Sequence, residues 1–404
     1  MKNISEIQRT LNEVVFALFQ HAEAMGRSDG HLPGESVVRN ALVIHDPIKI
    51  GNIVKRPQQF KKNFSQISAL GTSRFITDGE EWQTRRELTQ GTYNSASKST
   101  QRSRIFNFYH NEFEQCEANF GGIQDALLTA SMRVFFDAFK IDLPLEKTAS
   151  LIDRMRIILV RLQYYQWIRP DEIERAHVVQ DAQKLIKEFS QHMRESEGGR
   201  ALIQKFEQKA ASIDGFSAEE EFLSNLFGGL ETTVATSSWV LDRLAMNAQV
   251  QARVYDEIER GGKTPYTDCM INETMRYLPT IPFVDRLVVE DISLDGNDFR
   301  KGQVFVMSII SAHHHPQYWK DPHIFDSSRS EFMDDTYDRR AYIPFLTGHR
   351  MCGGARLARA EIYEAVRAAV KLFQFTRQDD IVHFDYGLAL KPQKSTKISV
   401  SRRN

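Results

Sequence analysis

The sequence predicts a mainly α protein with small β-sheets. Residues 1–30, 218–247 and 355–373 carry apolar side chains at helical spacing, whereas residues 374–404 contain short β-prone segments. Hydrophobic residues make up 41% of the 404 residues, which is enough for a sizeable core. Because no repeat, low-complexity run or charge block marks a linker, we expect residues 1–404 to form one intimately packed unit despite the length.

Composition and charge exclude several classes of function. The formal net charge is -1 and the pI is near 6.9, which gives no electrostatic reason to expect nucleic acid as a partner. The three widely separated cysteines, Cys116, Cys269 and Cys352, make a poor disulfide framework and suit a reducing cytoplasm. The best apolar run near the N-terminus, Val14 to Phe19, is far shorter than the roughly 20 residues that cross a bilayer. We therefore expect a soluble, cytoplasmic protein without a membrane anchor.

The N-terminal region predicts a helix, a strand and a second helix. Residues 1–30 fit an amphipathic helix closed by Gly26 and Gly30. Residues 36–44 are β-prone, and a brief helix that starts at Asp46-Pro47 reaches about residue 54.

A long loop precedes the next predicted helix. In residues 56–79 the apolar side chains follow no persistent helical or strand periodicity, which predicts a loop. A loop of that length inside a compact domain is usually functional. A helix with acids in its first turn then opens near Asp78. It places Trp82 and Arg86 four residues apart and therefore on one face. By themselves these two residues predict an exposed cation–π pair.

Residues 100–195 are predicted to be mostly helical. The aromatic residues Tyr164, Tyr165 and Trp167 gather just before Pro170. They fit an ordinary core and the lining of a ligand pocket equally well, so the sequence leaves both interpretations open.

The helix predicted for residues 218–247 has two adjacent glycines at its centre. Gly228 and Gly229 each cost about 1 kcal/mol relative to alanine inside a helix. Close packing would offset that cost, and so would a flat ligand that needs the room. Glu231 and Thr232 follow the glycines, and a threonine in a helix often merely bonds a carbonyl one turn back.

Two further patterns precede the cysteine-containing loop. Glu273 and Arg276 lie three residues apart on one predicted helix face, which in isolation fits a solvated ion pair. His313, His314 and His315 are consecutive, so their side chains point in different directions and rarely converge on one metal ion.

The stretch from Phe345 to Gly354 reads FLTGHRMCGG and places Cys352 on a glycine-rich turn before a helix. A helix N-terminus favours a thiolate, because its dipole and free N–H groups attract negative charge. The glycines let backbone N–H groups approach the sulfur closely. Taken alone, Cys352 still fits a buried structural cysteine better than a reactive one.

The spacing Phe-x-x-Gly-x-Arg-x-Cys-x-Gly resembles the cysteine-ligand loop of the cytochrome P450 superfamily at every fixed position. That family also has Trp-x-x-x-Arg, small-Gly-x-acid-Thr and Glu-x-x-Arg motifs in the order seen here, starting at Trp82, Gly228 and Glu273. This sequence departs from the family at Leu346, where the loop often has glycine. It also keeps only Arg329 of a Pro-Glu-Arg-Phe-like segment.

The resemblance implies the cytochrome P450 fold, an α-rich triangular prism with haem b between a long central helix and the cysteine-loop helix. Cys352 would bind the haem iron as a thiolate, and Glu273 and Arg276 would form a structural network. The sequence leaves open whether Arg329 completes that network. The other cofactor-binding residues implied by the resemblance are Trp82, Arg86, Arg286 and Arg350 at the propionates, together with Gly228, Gly229, Phe345 and Gly354.

The activity implied by the resemblance is that of a haem-thiolate monooxygenase. Such an enzyme inserts one atom of O2 into a hydrophobic small molecule, here of secondary or lipid/terpenoid metabolism, and Glu231 and Thr232 would relay protons. The alternatives are a haem-thiolate peroxygenase or isomerase, a haem-binding sensor without turnover, and a helical scaffold without a cofactor.

Electrons would come from a separate ferredoxin or flavodoxin-type carrier, because the haem unit uses the whole length. Cations on segments that the family places near its proximal surface could attract that carrier, although simple solvation explains them equally well. These cations are Arg85, Lys98, Arg356 and Arg359. The candidate residues of an apolar substrate pocket are Phe64, Phe75, Tyr165, Phe227, Val284 and Tyr386.

Overall fold

Helices dominate the computed structural model, which confirms the predicted fold class. The structure describes residues 3–25, 30–31, 42–64, 67–168 and 171–403. Of the predicted β-prone stretch, residues 36–41 lie outside this description, as does the side chain of Trp167. The α-helices are α1 (Ile4–Met25), α2 (Pro47–Val54), α3 (Gly79–Ala96), α4 (Arg102–Gln115), α5 (Phe120–Phe139), α6 (Leu145–Gln163), α7 (Glu172–Glu195), α8 (Glu197–Lys209), α9 (Ala218–Ala245), α10 (Ala248–Arg260), α11 (Pro265–Tyr277), α12 (Ile309–His313), α13 (Ser330–Met333) and α14 (Ala355–Leu372).

Among the described residues, the strands form one five-stranded sheet and three two-stranded sheets. The larger sheet has the order β1-β2-β7-β4-β3, in which β2 is parallel to β7 and the other neighbours are antiparallel. The strands are β1 (Gly30–His31), β2 (Leu42–Ile44), β3 (Phe60–Lys62), β4 (Phe283–Val288), β5 (Ile292–Leu294), β6 (Asn297–Phe299), β7 (Val304–Ser308), β8 (Phe373–Arg377), β9 (Phe384–Tyr386), β10 (Leu390–Pro392) and β11 (Ile398–Arg402).

Helix α9 runs through the centre of the core. Every residue from 233 to 245 is buried, as expected for a helix that is packed on all sides. Its first turn begins at Ser217, whose hydroxyl accepts a hydrogen bond from the backbone N–H of Glu220 at 3.2 Å. In the described part of the chain, neither α9 nor any other helix is long and apolar enough to cross a membrane.

Helix α14 joins the cysteine loop to the core. It packs against α4 and α9, and its alanines at 360, 365 and 368 are buried, which allows close approach of the neighbouring helices. Glu361 of α14 accepts hydrogen bonds from Tyr109 of α4 at 3.0 Å and from Ser131 of α5 at 2.8 Å. Burial raises the pKa of Glu361 to about 7, and its hydrogen bonds link α14 to α4 and α5.

A buried carboxylate with two arginines ties α11 to the segment before α13. Both oxygens of Glu273 accept from Arg276, at 2.7 and 2.8 Å, and one also accepts from Arg329 Nε at 2.8 Å. All three side chains are at most 3% exposed. Arg329 therefore reaches Glu273 although the surrounding family-like segment is absent, a point that the sequence left open.

The same network continues by hydrogen bonds toward the cysteine loop. Arg276 donates to the backbone carbonyl of His313 at 2.9 Å, and the His313 ring accepts from the backbone N–H of Ile343 at 2.9 Å. Burial, together with the charge of Arg276, lowers the pKa of His313 to about 3, so its Nε2 remains an acceptor. His314 instead bonds the carbonyl of Ile310 at 2.9 Å, and the two rings therefore serve separate backbone contacts.

Replacing Glu273 with Gln is expected to destabilise the fold by about 3–5 kcal/mol, because two buried guanidinium groups would lose their shared counter-charge. Urea unfolding followed by circular dichroism measures this change. The matched control is Asp335→Asn, because the ion pair of Asp335 with Arg339 is about 70% exposed and should contribute about 1 kcal/mol or less. Equal destabilisation by the two variants would contradict the assignment.

Candidate active site

A cavity of about 330 Å³ separates the middle of α9 from the cysteine loop and the start of α14. Its wall is mostly apolar and includes five of the six predicted pocket residues, which are Phe64, Phe75, Phe227, Val284 and Tyr386. The structure does not place Tyr165 on the cavity wall. That residue is described and buried, and its ring packs edge-on against Tyr164 with centroids 5.3 Å apart.

Cys352 lies on the cavity wall at the end of a tight loop. Its backbone N–H donates to the carbonyl of Phe345 at 2.9 Å, and Gly348 supports the turn with a φ of 66°. Cys352 is an exposed residue that lines the cavity, although the surrounding protein desolvates its sulfur. Burial raises the pKa of the Cys352 thiol, whereas Arg74 and the backbone N–H groups of Gly354 and Ala355 oppose that rise.

Leu346 adopts a left-handed backbone conformation, with a φ of 58°. Such a conformation costs a residue with a Cβ roughly 1–2 kcal/mol, whereas glycine adopts it freely. The side chain of Leu346 packs against the smaller apolar cluster around the five-stranded sheet and lines the cavity. The departure from glycine at this position therefore places an apolar side chain in the wall at the cost of backbone strain.

The arginine two residues before Cys352 lies against Trp82. The guanidinium group of Arg350 stacks over the Trp82 ring at 4.0 Å and pairs with the carboxylate of Asp78. Its Nη1 atom is buried and has no hydrogen-bond partner among the described residues. Arg86 also contacts the Trp82 ring, at 5.2 Å, and donates to the carbonyl of His349 at 3.2 Å. The predicted pair of Trp82 and Arg86 is thus part of the cavity wall, with Trp82 only 6% exposed.

Two cavity-lining cations were missed by sequence reasoning. Lys62 ends β3 beside Arg286 of β4, and Arg74 lies in the long loop before α3. Burial, followed by the charge of Arg350, lowers the pKa of Lys62 to about 7, and burial lowers that of Arg286 to about 10. Arg74 donates to Thr89 at 2.7 Å. The length of the loop at 56–79 was a signal for function, but no spacing within it marked these two residues.

Helix α9 contributes both glycines and Thr232 to the cavity wall. A Cβ added at Gly228 would lie 2.9 Å from Phe75, and one at Gly229 would lie 3.1 Å from Phe135. Both interpretations of the glycine pair are therefore partly right, because the glycines permit close packing and also line the cavity. The hydroxyl of Thr232 donates to the carbonyl of Gly228 at 2.8 Å.

Glu231 contacts charged groups outside the cavity, whereas the adjacent Thr232 lines the cavity. It is 4% exposed, it is paired with Arg156 of α6, and it lies 4.0 Å from Lys391 of β10. Although described and buried, its side chain takes no part in the cavity wall. Arg156 in turn pairs with Asp153, which is 62% exposed, so a chain of charged groups links Glu231 to the surface.

The suggested docking cations divide into two groups. Lys98, Arg356 and Arg359 are exposed. Arg85 is only 1% exposed and bonds Glu81 at 2.8 Å and Glu221 at 3.0 Å, so the expectation that it attracts a protein partner is wrong. Its helical position looked accessible in the sequence because the buried Glu221 lies far away along the chain.

Comparison with known proteins places these features in one family. Residues 36–400 match the family model described as Cytochrome P450. "Cytochrome P450 4X1" of Rattus norvegicus is 32% identical over 187 residues, which cover 42% of this chain and 36% of that protein. "Cytochrome P450 3A5" of Homo sapiens is 29% identical over 239 residues, covering 55% and 47%. The chain thus spans about half or less of the length of these relatives.

A solved structure shows the same fold. The "cytochrome P450DA heme domain" superimposes with a TM-score of 0.76 and covers 96% of this chain and 92% of its own. Its sequence identity is 20%, so this likeness concerns the fold alone.

The residues of the cavity fit a haem group. Five cationic side chains line the cavity, namely Lys62, Arg74, Arg86, Arg286 and Arg350. The buried, unpartnered Nη1 atom of Arg350 and the lowered pKa of Lys62 both indicate that anionic groups are needed beside them. The two propionates of haem supply such charges, and a cysteine on the same wall supplies a thiolate ligand.

The strain at Leu346 predicts an unusual order of stability among variants. Leu346→Gly and Leu346→Ala lose the same apolar contacts, but only the glycine relieves the left-handed backbone, so it should be the more stable by about 1 kcal/mol. Chemical denaturation measures the difference. The opposite order is expected at exposed Gly91 inside α3, where nothing lies within 4 Å of an added Cβ and Gly91→Ala should stabilise by about 1 kcal/mol. An alanine variant at 346 as stable as the glycine variant would contradict the strain.

Proposed function

Because this chain belongs to the cytochrome P450 family, we propose that it is a haem-thiolate monooxygenase whose haem domain spans residues 1–404. Haem b, when bound, supplies the activation of O2, so that one oxygen atom enters the substrate and the other leaves as water after two electrons and two protons are added. The observation that carries the proposal is the shared wall of one cavity, on which Cys352, the cation cluster and Thr232 of α9 all lie.

Cys352 would hold the haem iron through its sulfur. The loop keeps the sulfur on the cavity wall, because the backbone of Cys352 is tied to Phe345 and its next residues begin α14. The N–H groups of Gly354 and Ala355 favour negative charge on that sulfur. Gly354 and Phe345 also line the cavity and would contact the cofactor.

The cations would neutralise the two propionates. Trp82, Arg86, Arg286 and Arg350 are the donors proposed from the motifs, and Lys62 joins them through its place beside Arg286. Arg350 has the clearest case, since one of its nitrogen atoms is buried and free to donate. An arginine fork binds both oxygens of a carboxylate and thereby fixes the orientation of the group.

Thr232 would assist proton transfer by hydrogen bonding on the side of the cavity formed by α9. Its hydroxyl donates to the Gly228 carbonyl, so its oxygen lone pairs can accept a hydrogen bond from a water or from the reacting group. Glu231 would relay protons from solvent, since Arg156, Lys391 and the exposed Asp153 connect it to the surface. For that relay, the carboxylate has to exchange its contact with Arg156 for one toward the cavity.

The substrate class follows from the apolar wall. Phe64, Phe75, Phe227, Val284 and Tyr386 favour a hydrophobic small molecule, such as those of secondary or lipid/terpenoid metabolism. The electrons would come from a separate ferredoxin or flavodoxin-type protein, for which the exposed cations Lys98, Arg356 and Arg359 offer a docking patch. Three cysteines without a disulfide suit the cytoplasm.

Replacing Cys352 with Ser should abolish the absorption band that thiolate-ligated ferrous haem gives with carbon monoxide, because the hydroxyl group is a far weaker anionic ligand. Reduced, carbon monoxide-treated difference spectra measure the band. Cys116→Ser is the matched control, because Cys116 lies at the end of α4 and takes no part in the cavity wall. A band that persists in the Cys352 variant would remove this residue as the ligand.

Replacing Thr232 with Ala should leave haem content unchanged but uncouple electron use from product, with hydrogen peroxide released instead. The reason is the loss of the hydroxyl group whose hydrogen bonds would direct protons to the reacting oxygen. Reductant consumption, product and peroxide are measured together. Thr129→Ala removes a similar helical bond, from Thr129 to the Asp125 carbonyl at 3.1 Å, outside the cavity and should stay coupled. Full coupling in the Thr232 variant would refute the role.

A further inference from the structure

An acidic side chain from β4 reaches the cavity beside the cation cluster. Asp285 is only 5% exposed and lines the cavity next to Arg286. One of its carboxylate oxygens accepts a hydrogen bond from the side-chain amide of Asn63 at 2.9 Å. The partner is a neutral group, so this bond orients the carboxylate without cancelling its charge.

The carboxylate of Asp285 forms no ion pair within 4.0 Å among the described residues. Arg286, the next residue in the chain, attracts its charge, but the Nη1 atom of Arg286 donates to the backbone carbonyl of Asp285 at 2.7 Å. A buried carboxylate is costly unless it is paired or fully hydrogen-bonded. Burial raises the pKa of Asp285 to about 6, which still leaves the group mostly ionised at neutral pH.

The other acidic residue of the cavity wall is already satisfied. Glu361 accepts hydrogen bonds from both Tyr109 and Ser131, and burial raises its pKa to about 7. It also belongs to α14, the helix that carries the cysteine loop. Of the two acids, Asp285 is therefore the one with fewer hydrogen bonds, since its carboxylate accepts a single side-chain donor, the amide of Asn63.

The surroundings of Asp285 are aromatic and apolar. Tyr386 senses its charge, which adds to burial in raising the pKa of the phenol, and the Tyr386 ring lies 5.5 Å from that of Phe283. Two further apolar residues complete this part of the wall: Phe64, which follows Asn63 in the chain, and Val284, which precedes Asp285. On this part of the wall a buried carboxylate lies beside aromatic and apolar side chains, which suits a cation carried on an apolar body.

We propose that Asp285, oriented by Asn63, anchors the cationic nitrogen of an amphiphilic amine substrate. The apolar body of the amine would contact Phe64, Val284 and Tyr386. The proposal rests on the proposed function, because it names the chemical class of the substrate of that enzyme. An ammonium group provides both the hydrogen-bond donor and the charge that Asp285 lacks, whereas a neutral hydroxyl group provides the donor alone.

The cofactor does not supply this cation. Its propionates carry the same sign as Asp285 and would be drawn toward Lys62, Arg86 and Arg350 instead. Once the propionates neutralise those cations, the positive field that would oppose an ammonium group is removed. Cofactor binding and amine binding therefore use opposite charges on the same wall.

The test compares two probes that differ in one atom, N,N-dimethylphenylbutylamine and the hydrocarbon in which a CH group replaces the nitrogen. Equilibrium dialysis against the haem-loaded protein gives both dissociation constants without requiring turnover. The wild-type protein should bind the amine about tenfold or more tightly than the hydrocarbon, the range expected for a charge-assisted hydrogen bond. Asp285→Asn, which preserves shape, should bring the ratio close to one.

The control variant is Asp291→Asn, which neutralises an exposed acid shortly after β4 and should keep the wild-type ratio. A wild-type ratio near one would overturn the proposal, as would a tenfold preference that persists in Asp285→Asn. If Asp285→Asn does not retain haem, Asp285→Ser takes its place, with the same outcomes. Haem-thiolate spectra and coupled turnover of the wild type are measured separately.

A ratio of the two dissociation constants near one, together with normal turnover, would then contradict only this inference. A high ratio without turnover would contradict only the proposed function.

Discussion

Hydrogen bonds and short stretches of backbone connect a buried ion pair to the cysteine of the cavity wall, and the geometry of the site depends on them. Glu273 neutralises Arg276, Arg276 bonds the carbonyl of His313, and the His313 ring bonds the backbone of Ile343. The carbonyl of Ile343 accepts from Leu346 at 2.9 Å, and the loop closes between Cys352 and Phe345. Glu273, Arg276, His313 and Ile343 are buried, so displacement of any of these four would leave polar groups unsatisfied and is strongly resisted.

The cavity separates charges of opposite sign. Cations from distant segments collect near Trp82 and Arg350, where Asp78 pairs with Arg350. The unmet positive charge suits the propionates of haem, whereas the unmet negative charge of Asp285 suits a cationic ligand. Charged groups of both signs therefore lie within one cavity whose wall is otherwise mostly apolar.

Sequence patterns predicted the parts of the site that lie within single elements. The glycines of α9, the face shared by Trp82 and Arg86, and the loop around Cys352 all follow from local spacing, and each lies on the cavity wall. Patterns failed where burial depends on a distant partner. Arg85 has the spacing of a surface charge but is buried beside Glu221, and Tyr165 packs against Tyr164 and does not line the cavity.

The sequence by itself determined the helical fold class, the family and the order of the motifs, because periodicity and spacing are properties of neighbouring residues. Tertiary structure alone decided which groups meet across the chain. It brought Arg329 to Glu273, gathered Lys62 and Arg74 with the motif cations, and left Asp285 without an ion pair within 4.0 Å among the described residues. It also explained Leu346, whose left-handed backbone shows why glycine is usual there. Such facts depend on packing and on the low dielectric of the interior, which no local pattern encodes.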